Sequence, residues 1–259
     1  TPQAGSDFSL GEQRYTNGYK ARLKRAEIEL SSEVCMASRD YRTASVASLS
    51  ALETNKVLKN TYLLLSATLG FSALMAAMSM SMGMPFGAYM ICLIASMVLG
   101  MFVLPRTANS GAGLGVIFLV TGLLGFGLGP VISMYLTLSN GAQVVTTALG
   151  GTAVMFLGLS AYAVTSKRDF SFMGGFVTVG LFVVIGAMIA NIFMQLPLLS
   201  LGLSVGVILL MSALILMQTG AIIRGGETNY IMATYSLYLS IFNIFISLLQ
   251  ILGLTSGDD

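Results

Sequence analysis

Histidine is absent from the 259 residues, and charge is scarce: Asp, Glu, Lys and Arg together make up 9%. Each shortage excludes a class of chemistry. Without histidine the chain lacks the usual general base, the usual zinc ligand and the side chain that changes charge near neutral pH. Soluble chains carry about 25% charged residues, so a soluble domain is excluded as well. Cysteine is limited to Cys35, in a polar stretch, and Cys92, in an apolar one, and a disulfide between them is not expected. No Asp or Glu lies inside a long apolar run, which excludes an intramembrane aspartyl protease with its two carboxylates at bilayer depth. A membrane serine protease needs a Ser beside a His or Lys, and the nearest candidate base, Lys167, sits at a helix end. The chain therefore reads as non-enzymatic, with no cofactor and no nucleic-acid partner.

Apolar residues are abundant instead, at 55% with a mean hydropathy of +0.84, and mark a polytopic protein whose first partner is the lipid bilayer. Seven apolar runs lie at about 61–82, 86–104, 113–138, 142–165, 173–195, 199–222 and 230–254. Each comes near the ~20 residues that a helix needs to cross the hydrocarbon. The expected fold is all-α: a seven-transmembrane-helix bundle over 61–254, preceded by a polar tail over 1–60 and followed by a short C-terminus over 255–259. The first run starts too late, and is too long, for a cleavable signal peptide.

The tail holds nine of the 13 Lys and Arg and seven of the 11 Asp and Glu. Leu23, Ala26, Leu30 and Val34 would share one helix face, but basic residues precede acidic ones there, against the helix dipole. A marginal helix and a disordered tail both stay open. Met36 is a candidate natural start, leaving residues 1–35 as a tag, a processed extension or a misassigned stretch. Beyond the tail the basic residues are Arg106, Lys167, Arg168 and Arg224, all in even-numbered loops. The positive-inside rule then places the N-terminus and these loops in the cytoplasm, and the C-terminus outside.

Several local patterns carry expectations. Gly129-Pro130 near the end of the third run predicts a kink or an unwound stretch. Gly111 with Gly115, and Gly125 with Gly129, stand four apart, a spacing that suits close helix packing in lipid. Met78, Met80, Met82 and Met84 alternate at a span edge and are weak candidates for Cu(I), which favours thioethers. On a helix, residues i and i+2 diverge, so these sulfurs meet only if the segment unwinds, and gap-filling is the plainer role.

The polar residues inside the runs are Asn191, Gln195, Gln218, Ser236, Ser240 and Asn243. The last three, at spacings of four and three, line one face of the final helix. These polar residues are either interhelical hydrogen-bonding groups, each contributing about 0.6–2 kcal/mol, or, through Asn191, Gln195, Ser236 and Asn243, a polar seam that passes or senses an ion. Arg224-Gly225-Gly226-Glu227 predicts a tight turn into the last span, either helix-turn-helix or re-entrant, with Arg224 and Glu227 as a candidate ion pair.

The stretch from Ile222 through Arg224, Gly225, Gly226, Glu227, Asn229 and Tyr230, continued by Ala233 to Ser240 and Asn243 to Gly253, resembles the Bax-inhibitor family and more closely its bacterial YccA branch. Thr54 to Tyr62, Ala148 to Ala153, Ser160 to Gly175 and Ala190 to Pro197 agree, so the resemblance covers about residues 54–254. It implies a seven-helix fold in the bacterial cell inner membrane, with the last helix near the bundle centre. In the wider family one acidic residue on helix six and one on helix seven form a pair tied to pH-sensitive calcium leak. Matching the motifs puts Gln218 and Ser240 at those two positions. Neither holds a titrating proton, so the resemblance implies a calcium-ion or other cation leak only as the weaker alternative. The YccA branch instead implies a partner, slowly processed substrate and modulator of an FtsH-type AAA protease and its prohibitin-like complex.

Overall fold

In hydrocarbon no water is present to satisfy a backbone N–H or C=O, so each long apolar run must close its hydrogen bonds within itself. The computed structural model describes residues 55–256 apart from Lys167, and every apolar run in it is a helix. These are α1 Asn55–Ser81, α2 Gly87–Thr107, α3 Ala112–Leu136, α4 Gly141–Thr165, α5 Met173–Met194, α6 Pro197–Ile223 and α7 Tyr230–Ser256. The described residues contain no strand. The expected tail helix, Cys35, Met36 and the C-terminal residues 257–259 lie outside them. α1 starts at Asn55, ahead of the apolar run: Lys56 and Lys59 are exposed and end the hydrophobic stretch without ending the helix, because long lysine stems follow an apolar surface with the charge in water.

α7 is the axis of the bundle. It packs against α6, α4 and α3 and is hydrogen-bonded to α1. Ala233, Leu237, Tyr238, Ile244 and Leu249 are almost wholly buried along it. α3 is similarly enclosed through Ile117, Val120 and Thr121. α5 is the opposite case. It packs against α6, only Val177 of its 22 residues is buried, and Phe182 and Phe193 stand exposed. Apolar surface exposed on this scale fits lipid rather than water.

α1 crosses α3 on glycine. A Cβ at Gly125 would collide with the backbone and hydroxyl of Ser72, one at Gly129 with Ser79, and one at Gly122 with the ring of Phe71. The Gly125 and Gly129 spacing thus does what was expected, whereas Gly111 and Gly115 face open space. The unwound stretch expected at Gly129-Pro130 is not there: α3 stays helical from Ala112 to Leu136 with Pro130 inside it. The neighbouring helices enclose that turn and hold it. The irregular turn lies in α2, where Leu99–Val103 is π-helical and Leu104 N–H bonds back to Leu99. Pro105 follows directly. Proline donates no hydrogen bond and crowds the preceding turn, and the widened turn relieves the crowding. The Tyr235 ring of α7 lies directly over Gly100 in that turn.

Gly125→Ala is expected to destabilise the bundle by about 1–3 kcal/mol, the usual range for overpacking, since backbone would have to move. Gly115→Ala should leave the melting temperature in detergent nearly unchanged. Equal shifts for the two variants would show that α1 does not rely on this crossing.

Candidate functional site

Two polar regions occupy opposite ends of the bundle. The first is the turn between α6 and α7. Gly225 takes φ of 72°, a left-handed conformation natural to glycine, and Gly225 and Gly226 N–H bond back to Ile222 and Ala221. The chain makes a helix-turn-helix rather than a re-entrant loop. Asn229 caps α7: its Oδ1 accepts from Ile231 N at 2.9 Å and Met232 N at 3.2 Å, satisfying amides that the first helical turn leaves unpaired. Its Nδ2 donates to Asn109 Oδ1 at 2.7 Å, joining this turn to the loop after α2. Tyr230 packs against the cluster of Leu64, Leu104, Ala108, Ile117 and Ile231.

The expected pairing of Arg224 with Glu227 is replaced. Arg224 bonds Asp169 at 2.8 Å and donates to the Arg168 carbonyl at 3.0 Å, while Glu227 Oε1 accepts from Asn229 N at 2.9 Å. The reason is local geometry: Glu227 folds into its own turn, and the loop after α4 delivers a carboxylate to Arg224. The Ser171 N–H and hydroxyl both donate to Asp169. Those bonds, with the Arg224 guanidinium adding to them, hold the Asp169 carboxyl below its usual range. Arg106, Arg168 and Asp169 are exposed beside this laced turn.

The second region lies at the charge-poor end. A cleft of about 470 Å³ opens there between the start of α2, the end of α5, the start of α6 and the end of α7. A shallower space of about 380 Å³ adjoins it and shares Asn191, Ser200 and Gln250. Asn191 and Asn243 of the expected seam line the cleft, and Gln195 stands at its mouth. Gln195 ends α5 in a left-handed conformation, φ 49°. Ser236, Ser240 and Gln218 are not part of the lining. The Ser240 hydroxyl is buried and turns back to the Ser236 carbonyl at 3.0 Å, and Gln218 is half-buried. The seam therefore divides, its outer part lining a cleft and its inner part packed.

Sequence reasoning missed most of the polar lining of the cleft. Ser247 and Gln250 continue the same face of α7 beyond Asn243, again at spacings of four and three, and that periodicity was a readable signal. Ser200 and Ser204 complete the wall from α6. Ser204 donates to Gln250 Oε1 at 2.9 Å, and Gln250 Nε2 donates to the Ser200 hydroxyl. Among the described residues Asn191 Oδ1 is buried without a partner. These groups exchange hydrogen bonds but hold no nucleophile–base pair. Of the alternating methionines, Met78 and Met82 are exposed, and Met80 lines a separate apolar groove between α1 and α4.

A third set of contacts, also unforeseen, clasps α1 to the rest. Tyr62 and Ser160 share a hydroxyl–hydroxyl bond from α1 to α4. Thr234 of α7 donates to the Thr61 carbonyl at 3.2 Å. Tyr238 of α7 bonds the Ser72 hydroxyl at 2.6 Å and donates to the Thr121 carbonyl of α3 at 3.3 Å.

Residues 54–257 match the family model described as "Inhibitor of apoptosis-promoting Bax1". The Escherichia coli K12 protein named "Modulator of FtsH protease YccA" is 49% identical over 209 residues, covering 81% of this chain and 94% of that protein. The "Inner membrane protein YccA" of Escherichia coli O6:H1 has the same identity and coverage. A Pseudomonas aeruginosa protein, named as uncharacterized, is 50% identical over 208 residues, 80% of this chain and 93% of its own length.

Because the Asp169 carboxyl is lowered by folding, its stabilising effect is complete above the ordinary value of 3.8 and is lost as pH falls through the lowered one. The melting-temperature gap between the native chain and Asp169→Asn should be constant between about pH 8 and pH 5 and close below about pH 4. A gap that does not narrow as pH falls below about 4 would assign the stabilisation to something other than the ionised carboxylate.

Proposed function

Since this chain belongs to the Bax-inhibitor family, in its YccA-like branch, and is a multi-pass inner-membrane protein, we propose that it is a non-enzymatic modulator of an FtsH-type membrane protease. It engages that protease, with its prohibitin-like complex, as partner and slowly processed substrate. The N-terminal tail and the charged loops face the cytoplasm in this reading, in keeping with the distribution of Lys and Arg.

The observation that carries the proposal is the clasp on α1. A protease that grips the chain through residues 1–54 pulls first on α1. Within the first seven or so residues of that helix, Thr61 and Tyr62 are bonded to α7 and α4. Ser72 is bonded to Tyr238 further along, and the α3 glycines seat the helix. α7 is itself held at the laced turn, where Arg224 and Asn229 tie it to two other loops. Extraction thus begins on a helix tied to α3, α4 and α7. An occupied protease that cannot advance leaves other membrane substrates uncut. The calcium-leak alternative ranks lower because Gln218 and Ser240 have no proton to exchange at the family's acid positions.

Two measurements test this with the full chain and a purified FtsH-type protease in proteoliposomes. Deleting residues 1–53 should abolish inhibition of a second substrate; undiminished inhibition by the shortened chain refutes the grip on the tail. Tyr238→Phe removes two hydrogen bonds, costs about 0.5–1.5 kcal/mol each, and should shorten the half-life under the protease several-fold. An unchanged half-life, in a variant whose melting temperature has fallen, would show that the clasp does not limit extraction.

A further inference from the structure

The cleft at the charge-poor end has no part in the protease reading, which concerns the tail, α1 and the charged loops. Its volume of about 470 Å³ falls within the range of small-molecule sites, about 300–1,000 Å³. Among the described residues no Asp, Glu, Lys or Arg lines it. Its hydrogen-bonding groups are unequally committed. Gln250 spends both ends of its amide on Ser200 and Ser204, fixing that wall. Asn243 gives one N–H to the Leu239 carbonyl at 2.8 Å, which sets the amide plane and leaves its Oδ1 to accept. Asn191 Oδ1, on the facing wall, is buried and accepts from none of the described residues. An unpaired buried acceptor is unfavourable unless a donor reaches it. Leu203, Val207 and Ile246 make up an apolar side of the same space.

We propose that this cleft binds a small uncharged solute that carries hydrogen-bond donors at one end and a short aliphatic body at the other, of the primary-amide type. The donors go to the Asn191 and Asn243 oxygens, and the aliphatic part lies on Leu203, Val207 and Ile246. Charge is selected against from both directions. An anion would meet carbonyl oxygens and no basic group. A cation would leave water for a site without a counter-charge. A neutral donor gains the two bonds and gives up little hydration.

The test uses three probes with one tail: hexanamide, sodium hexanoate and hexylammonium chloride, titrated by calorimetry against the full chain in nanodiscs, with empty nanodiscs as the lipid blank. Hexanamide should bind saturably, and the two charged probes at least tenfold more weakly. Asn191→Leu and, separately, Asn243→Leu should each weaken hexanamide binding about tenfold, while Ser66→Ala, in the groove between α1 and α4, should not. Thermal melts identify any variant that fails to fold. Should both Asn variants do so, Leu203→Phe, which fills the cleft from its apolar side, replaces them and should also weaken binding. No saturable binding of hexanamide overturns the proposal. So does equal or tighter binding of either charged probe, or binding that survives loss of the Asn191 amide in a folded variant. Protease inhibition measured on the same Asn191→Leu protein should be unchanged, which keeps failure of this site distinct from failure of the modulator reading.

Discussion

The buried hydroxyl of Tyr238 holds three helices at one point: it bonds Ser72 on α1 and the Thr121 carbonyl on α3, and it belongs to α7. In lipid the apolar side chains of one helix are no better off against another helix than against acyl chains, so packing fit and polar contacts must supply the specificity. That places unusual weight on the few hydroxyls available. The glycine crossing of α1 over α3 depends on the same point, because Ser72 is both the residue pressed against Gly125 and the partner of Tyr238. Fit and hydrogen bonding are here one constraint.

The spans were legible because hydropathy is imposed by the solvent, and lipid imposes it on every helix alike. The helix bounds differ from the apolar runs mainly at Lys56 and Lys59, where charge ends the hydrophobic stretch but not the hydrogen-bonded one. What the sequence could not reveal was partnership. Arg224 and Glu227 stand three apart and invite pairing, yet the carboxylate that reaches Arg224 comes from Asp169, on a loop that only the fold brings near. Nor do the hydroxyls of Tyr62 and Ser160, 98 residues apart, announce each other. The polar face of α7 was partly readable. Ser236, Ser240 and Asn243 share a face by helical period, but which of them meets a cavity depends on how far α5 and α2 stand from it.

The two polar ends answer to different physics. At the charged end, bonds link loop to loop and the groups are largely committed, so the region behaves as a fastening. At the opposite end the amides are only half committed and enclose space. The bundle between them is bridged by α7, which carries Asn229 at one end and Gln250 at the other. A change in its tilt would register at both.

α5 is the least anchored of the seven helices, and it supplies Asn191 to the cleft. α5 packs against α6 and is otherwise positioned by the surrounding lipid. A helix so placed answers to bilayer thickness through tilt and mismatch. The width of the cleft is therefore set partly by the membrane, so that lipid composition becomes a property of the pocket as much as of its surroundings.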